Sequence, residues 1–221
     1  MRSTKLLLVL LAMVVAGAGI FWLRQGEPPF VNDPPVATGP WVAFGDSLTE
    51  GYGASPGNDY PSLLSQRLGV PITNLGKSGD TTSDGLVRVE AVVRSRPRAV
   101  LLCFGGNDSL NHEPAARTFG NLGRIIDRLH QQGSFVVLIG IRSASLRDQN
   151  EKYFKRLAHE KRVLYVPDIL RGVAFRPVYM SDAIHPNDEG YRLISERLDK
   201  ILRPLLPRLT NPGSSLEENR R

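Results

Sequence analysis

Short apolar runs alternate along the chain with longer segments in which apolar residues recur every three or four positions. The short runs predict strands at Trp41–Phe44, Pro71–Leu75, Ala99–Phe104, Phe135–Ile141 and Val163–Val166. The periodic segments predict helices at Tyr60–Leu68, Ser83–Arg94, Ala115–Gln132, Leu146–Lys161 and Asp188–Leu206. Strands that alternate with helices are typical of parallel βαβ units. The strands are apolar throughout, which fits burial on both faces, so we predict an α/β fold with helices on both sides of a parallel sheet.

Glycines and polar residues follow the predicted strands directly. Gly45-Asp46-Ser47-Leu48 follows the first strand, "NLGKSGDTT" with Gly79 follows the second, and "GGND" with Asn107 follows the third. "SDAIHP", with Asp182 and His185, precedes the last helix. In open parallel sheets the site lies beyond the carboxyl ends of the strands. We therefore expect these motifs to share one rim.

The residue types at this rim suit nucleophilic catalysis. A serine hydroxyl is a weak nucleophile until a base takes its proton, and a histidine such as His185 can act as that base near neutral pH. Asp182 is close enough in sequence to orient His185. The N–H groups of Ser47 and Gly79 and the amide of Asn107 are candidate donors to an oxyanion. Each motif alone also fits an ordinary cap or turn, but their joint order favours Ser47 as a nucleophile.

These four motifs resemble those of the SGNH (GDSL) hydrolase family, over roughly Trp41 to Pro207. "FGDSLTEGYG", "KSGDTTSDGL" and "GGND" are most similar to its bacterial branch of periplasmic thioesterases, lysophospholipases and arylesterases. The resemblance implies a flavodoxin-like three-layer α/β/α sandwich with a parallel sheet of about five strands. It also implies a Ser47–Asp182–His185 triad, an oxyanion hole of Ser47, Gly79 and Asn107, and no cofactor.

The amino terminus predicts export. Arg2 and Lys5 precede an uncharged apolar run, Leu6–Leu23, which as a helix would span roughly 27 Å. Basic residues before the run place the bulk of the chain outside the cytoplasm. Ala16-Gly17-Ala18 resembles a signal-peptide cleavage site, but the apolar run continues beyond it. We favour an uncleaved inner-membrane anchor, with a cleaved periplasmic protein as the alternative.

The remaining boundaries follow from composition. The predicted segments are an anchor or signal peptide (residues 1–23), a Pro/Gly-rich tether (24–40), the hydrolase domain (41–207) and a polar tail (208–221). The net charge is +6, yet the basic residues are dispersed among acidic ones, which argues against nucleic-acid binding. Cys103 lies in an apolar run and is predicted to be buried. We predict no metal site, because no cluster has metal-ligand spacing.

The neighbours of the motif residues need separate interpretation. Asp46 and Asp108 are predicted to hold loops by accepting backbone N–H bonds. His112 follows the Asn107 loop and is a candidate pocket residue.

Three functions remain open from the sequence. The first is hydrolysis of lipid-derived or aryl esters and thioesters. The second is removal of O-acetyl groups from a cell-wall or exported polysaccharide, which an anchor would favour. The third is a non-catalytic binding module, which would not require the Ser47, Asn107, Asp182 and His185 set.

Overall fold

The computed structural model of the chain describes residues 30–142 and 150–210. The strands are β1 (Trp41–Gly45), β2 (Ile72–Gly76), β3 (Ala99–Cys103), β4 (Phe135–Ile139) and β5 (Leu164–Val166). The helices are α1 (Ser47–Glu50), α2 (Tyr60–Leu68), α3 (Thr82–Arg94), α4 (Gly106–Leu110), α5 (Ala115–Gln131), α6 (Asn150–Lys161), α7 (Asp188–Leu202) and α8 (Leu206–Thr210). Single 3₁₀ turns lie at Pro177–Tyr179 and Arg203–Leu205.

The strands form one parallel sheet in the order β2-β1-β3-β4-β5. This is the flavodoxin-like order, in which the direction of winding reverses between β1 and β3. The segments that leave β1 and β3 therefore diverge to opposite faces and open a crevice above the sheet. The predicted α/β fold with its five-stranded parallel sheet is confirmed.

Helices cover both faces of the sheet and make three layers. Successive side chains of a strand point to opposite faces, so Ala43 and Leu101 pack with α2, α7 and α8, while Val42 and Val100 pack with α3, α5 and α6. Both faces of the central strands are fully buried. Cys103 is a buried free thiol in the first of these cores, as predicted.

Two helices differ from their predicted bounds by more than one residue. The last one was predicted to run to Leu206, but α7 ends at Leu202 and a 3₁₀ turn follows. Pro204 explains the change, because proline has no N–H for the helix ladder and its ring clashes with the preceding turn. The helix predicted from Leu146 is described from Asn150 onward, as α6, and its first predicted residues lie outside the described ranges.

Residues 30–40, which the sequence places in the tether, pack along the amino-terminal edge of the sheet. Val31 N–H donates to the Arg162 carbonyl before β5, and Ala37 N–H donates to the Gly133 carbonyl before β4. Arg98 N–H donates to the Pro40 carbonyl where β3 begins. This extended proline-rich segment thus satisfies backbone groups at the strand starts.

The ends of the chain lie outside the described residues, including the predicted anchor at Leu6–Leu23 and most of the predicted tail. Within residues 30–142 and 150–210, no helix is long and apolar enough to cross a membrane. Part of the predicted tail is helical, because α8 continues to Thr210 and buries Leu209.

Candidate active site

The turn after β1 places Ser47 at the first position of α1. Asp46 caps this helix, and its Oδ1 accepts a 3.0 Å hydrogen bond from Leu48 N–H. Gly45 has no room for a side chain, since a Cβ there would clash with the Thr49 hydroxyl and the Cys103 carbonyl. Gly51 ends the helix in the left-handed region that favours glycine. The Gly-Asp-Ser motif is therefore a tight strand-to-helix turn, as predicted.

His185 lies between Ser47 and Asp182. Its Nε2 is 3.0 Å from Ser47 Oγ, and its Nδ1 is 2.8 Å from Asp182 Oδ2. When Nδ1 carries the proton it donates to Asp182, and Nε2 is left to accept from the Ser47 hydroxyl. The ring of Tyr52 lies 4.5 Å from the imidazole, centroid to centroid. These contacts bring together the three residues predicted as a triad.

The loop from Ser181 to Pro186 presents Asp182 and His185 from within itself. Asp182 Oδ1 accepts hydrogen bonds of 2.8 Å from Ile184 N–H and 2.7 Å from His185 N–H. Ser181 N–H donates to the His185 carbonyl at 2.9 Å, which closes the loop. A three-residue spacing therefore suffices to hold the carboxylate against the imidazole.

Asp182 remains ionised over the working pH range. Desolvation raises its pKa, but the hydrogen bonds from the His185 ring and from the backbone N–H groups of Ile184 and His185 outweigh it. The pKa of Asp182 is lowered to about 2. The imidazole consequently faces a full negative charge on its Nδ1 side.

Two of the predicted oxyanion donors, Gly79 and Asn107, lie on the segments that follow β2 and β3, on either side of the Ser47 turn. Asn107 is in the first turn of α4, and its Nδ2 donates a 2.8 Å hydrogen bond to the Asp80 carbonyl. An amide has two N–H donors, so the second remains for a ligand. Gly79 precedes Asp80, has a positive φ of 84°, and has open space where a Cβ would project.

A cleft of about 1260 Å³ opens at this edge of the sheet. Ser47, Asn107 and His185 line it, and so does His112, in agreement with its prediction as a pocket residue. The apolar part of the wall comprises Leu48, Leu110, Ile141, Phe154, Leu170, Ala174, Phe175, Met180, Ala183 and Ile184. Asp182 and Gly79 lie outside this lining. Among the described residues, no group of three or more His, Cys, Asp and Glu could hold a metal ion.

Asp108 ties the Asn107 helix to its neighbours. Its buried carboxylate accepts from the N–H and the hydroxyl of Thr82, the first residue of α3, and from the hydroxyl of Thr118 on α5. Asn121 also donates to the Thr82 hydroxyl, at 3.2 Å. The predicted loop-holding role of Asp108 is confirmed, and the carboxylate links α3, α4 and α5.

Asp46 is the second buried carboxyl beside the nucleophile. Burial, with a smaller contribution from the negative charges of Asp108 and Asp80, raises its pKa to about 7 against the opposing hydrogen bond from Leu48 N–H. Its predicted role in holding the loop is confirmed by that hydrogen bond. The carboxyl therefore keeps its proton up to nearly neutral pH.

Sequence reasoning missed an ion pair between Arg88 and Asp80. Arg88 Nε lies 2.6 Å from Asp80 Oδ2, and the Asp80 side chain is only 5% exposed. The two residues are eight positions apart on either side of a helix start, and neither belongs to a recognisable motif. The one available signal was the capping box of Thr81 and Asp84, which places the start of α3 and hence the turn that carries Arg88.

The fold and these contacts are typical of a serine-type ester hydrolase. Comparison with known proteins gives the family. Residues 43–193 match the GDSL-like lipase/acylhydrolase family, so the chain belongs to that family and is an ester hydrolase.

Individual relatives agree with this assignment. The chain is 32% identical to thioesterase 1/protease 1/lysophospholipase L1 of Escherichia coli K12, over 75% of this chain and 84% of the relative. It is 31% identical to an arylesterase of Vibrio mimicus, over 70% of this chain and 84% of the relative. Among solved structures, a crystal structure of TesA superposes with a TM-score of 0.71 and 26% identity, over 75% of this chain and 98% of that one.

Proposed function

We propose that this protein is a serine esterase/thioesterase that hydrolyses lipid-derived acyl, lysophospholipid or aryl esters. The observation that carries the proposal is the hydrogen-bonded sequence Asp182–His185–Ser47, with heavy-atom distances of 2.8 and 3.0 Å. Such a hydrogen-bonded triad turns a serine hydroxyl into a nucleophile near neutral pH. The apolar wall of the cleft supports a substrate with an acyl or aryl group.

In the acylation step, His185 Nε2 takes the hydroxyl proton of Ser47 while Oγ attacks the carbonyl carbon. The carbonyl π electrons move onto oxygen, and the N–H groups of Ser47 and Gly79 and the free N–H of Asn107 stabilise that oxyanion. Asp182, ionised opposite Nδ1, stabilises the imidazolium. His185 then passes the proton to the leaving alcohol or thiol as its bond to the carbonyl carbon breaks.

In the deacylation step, water replaces the alcohol or thiol. His185 takes a proton from the water as its oxygen attacks the acyl carbon, and the same donors stabilise the second oxyanion. Collapse expels Ser47 Oγ, which recovers the proton from His185. The products are a free carboxylic acid and the unmodified serine.

Hydrolysis of a substrate panel by wild-type protein and by Ser47→Ala tests this proposal. The panel holds p-nitrophenyl esters from acetyl to dodecanoyl, a long-chain acyl-CoA, a lysophospholipid and an acetylated glycan. We expect cleavage of the longer esters and of the acyl-CoA or lysophospholipid, and a loss of about 10⁴–10⁶-fold in kcat in the variant. Cleavage confined to acetyl groups would shift the function to polysaccharide deacetylation, and equal rates in the two proteins would remove Ser47 from the mechanism.

We place this activity outside the cytoplasm, on the support of Arg2 and Lys5 before the apolar run Leu6–Leu23. The chain is held at the inner membrane if that run is retained. Mass spectrometry of the protein isolated from the organism that produces it shows whether the apolar run is retained or cleaved. An intact amino terminus in the membrane fraction supports the anchor, and a terminus at Gly19 in the periplasmic fraction overturns it.

A further inference from the structure

The guanidinium of Arg88 contacts three separate segments at the carboxyl edge of the sheet. Its Nη2 donates to the Gly45 carbonyl at the end of β1, and its Nη1 donates to the Leu75 carbonyl near the end of β2, both at 3.2 Å. Its Nε donates to Asp80 Oδ2 at 2.6 Å, in the loop that follows β2. One side chain therefore joins the nucleophile turn to the loop that carries Gly79.

Asp80 connects this guanidinium to two donors of the proposed oxyanion hole, the Gly79 N–H and the Asn107 amide. It directly follows Gly79, so fixing its carboxylate limits the direction of the Gly79 peptide. Its own carbonyl accepts the 2.8 Å hydrogen bond from Asn107 Nδ2 and so sets the orientation of that amide. Lys77 Nζ lies 3.7 Å from the other carboxylate oxygen and is exposed, which leaves Arg88 as the closer and less exposed partner.

The geometry requires arginine in particular. A guanidinium is planar and presents donors in a fixed fork, whereas a lysine ammonium is a point charge. Arg88 also lies over the ring of Phe44, with 4.8 Å from Cζ to the ring centroid. The Arg88 side chain is 27% exposed and the Asp80 side chain 5%. A variant that removes one of the two charges therefore leaves the remaining charge poorly compensated.

We propose that Arg88 and Asp80 are positioning residues that align the Gly79 N–H and the Asn107 amide toward the oxyanion before substrate binds. The proposal rests on the function proposed above. Oxyanion donors act through preorganisation, because they contribute only when aimed at the charge that develops in the transition state. A displacement of about 1 Å in such a group costs on the order of 10²-fold in rate.

A double-mutant cycle between Arg88 and Asn107 tests this proposal. The full chain would be prepared as wild type, Arg88→Lys, Arg88→Met, Asn107→Ala and the two double variants. The rate of p-nitrophenyl ester hydrolysis would be divided by the burst amplitude, which counts competent Ser47. We expect kcat to fall about 10-fold in Arg88→Lys and about 10²-fold in Arg88→Met, with KM little changed, because one oxyanion donor contributes about 10²–10³.

The double variants separate a positioning role from a general one. Because Arg88 is proposed to act partly through Asn107, we expect Arg88→Lys to cost at most about threefold in the Asn107→Ala background. Binding of an aryl boronic acid, which forms a tetrahedral adduct with the serine, should weaken in Arg88→Lys by the same factor as kcat/KM. Losses that simply multiply, or unchanged boronate binding, would overturn the proposal.

Arg128→Met is the matched control. Arg128 forms a bidentate pair with Glu90, which lies on the same helix as Arg88 but in an exposed position. We expect wild-type kcat and boronate binding from this variant. If Arg88→Met fails to fold, Arg88→Lys and Asp80→Asn decide, and wild-type kcat per titrated serine in both contradicts the proposal. If the wild-type protein does not hydrolyse the p-nitrophenyl ester, the result instead rejects the proposed esterase function.

Discussion

The two sides of Ser47 are built in different ways. On the acid–base side, Asp182 and His185 are held by hydrogen bonds within one short loop, and the Asp182 side chain is 43% exposed. On the oxyanion side, the buried carboxylates of Asp80 and Asp108 bind partners on other elements of the fold. A local motif thus supplies the base, whereas the assembled edge of the sheet supplies the donors. Changes on the first side should affect chemistry much more than stability, and changes on the second should affect chemistry and stability together.

Among changes to the groups that flank Ser47, the largest expected effect is that of Asp182→Asn. The substitution removes the charge opposite Nδ1 and favours the wrong imidazole tautomer, so kcat should fall by about 10³–10⁴-fold. Because the side chain is substantially exposed, solvent screens this charge, and we expect the thermal midpoint at neutral pH to fall only slightly. Steady-state kinetics together with a thermal melt check both statements. A midpoint that drops as far as that of a core variant would break the comparison.

Acid unfolding sharpens the same prediction. The pKa of Asp182 is about 2 in the folded protein, below its ordinary value. Its contribution to stability is therefore present above the unfolded pKa near 4 and is lost as the pH falls through about 2. Asp182→Asn should lack this part of the acid transition, which urea titrations between these pH values would reveal.

Asp108→Asn should have an intermediate effect, and on two properties at once. The buried oxygens of Asp108 accept from the Thr82 N–H and from two hydroxyls. An amide replaces one acceptor with a donor, which leaves a buried group unsatisfied and lowers the free energy of unfolding by about 1–3 kcal/mol. Because α4 carries Asn107, kcat per titrated serine should fall as well. Chemical denaturation and burst-normalised kinetics measure the two losses, and a loss of stability with full kcat would contradict the link to Asn107.

Near pH 4 the smallest expected effect is that of Asp46→Asn, and it appears as a pH dependence. The folded pKa of Asp46 is about 7, above the unfolded value. Between pH about 4 and 7 the unfolded state releases a proton that the folded state keeps, so wild-type stability falls as the pH rises, by at most about 1.4 kcal/mol per pH unit. Asparagine keeps the acceptor for Leu48 N–H and does not titrate. The variant should match the wild type near pH 4 and become relatively more stable by pH 7. Parallel curves of unfolding free energy against pH would exclude the raised pKa.

The sequence predicts the local side of the site better than the buried one. Asp182 and His185 are three residues apart, so their spacing alone places the carboxylate near the ring. Ser47 is equally accessible to reasoning, because a glycine-rich turn after an apolar strand ends at a known edge of the sheet. The pair of Arg88 and Asp80 was missed, because the contacts of Arg88 with Gly45 and Leu75 exist only once β1 and β2 pair.

The fold shows the same division between local and distant information. Periodicity predicts the strands and the long helices, because burial of each face dictates where apolar residues recur. Pro204 carried a signal for the end of α7 that the apolar pattern obscured. The packing of residues 30–40 had no local signal, since prolines suit a free tether and a bound segment equally. The segment is bound because backbone groups at the strand starts are available to hydrogen-bond with it.

The course of residues 30–40 has a consequence for how the enzyme is held. The segment crosses the sheet at the edge where the strands begin, and β1 then carries the chain through the sheet to Ser47 at the opposite edge. Any attachment through the amino terminus, whether to a lipid bilayer or to a resin used for immobilisation, therefore joins the domain at the edge of the sheet opposite Ser47. The mouth of the cleft faces outward, toward substrates that arrive from the surrounding solution.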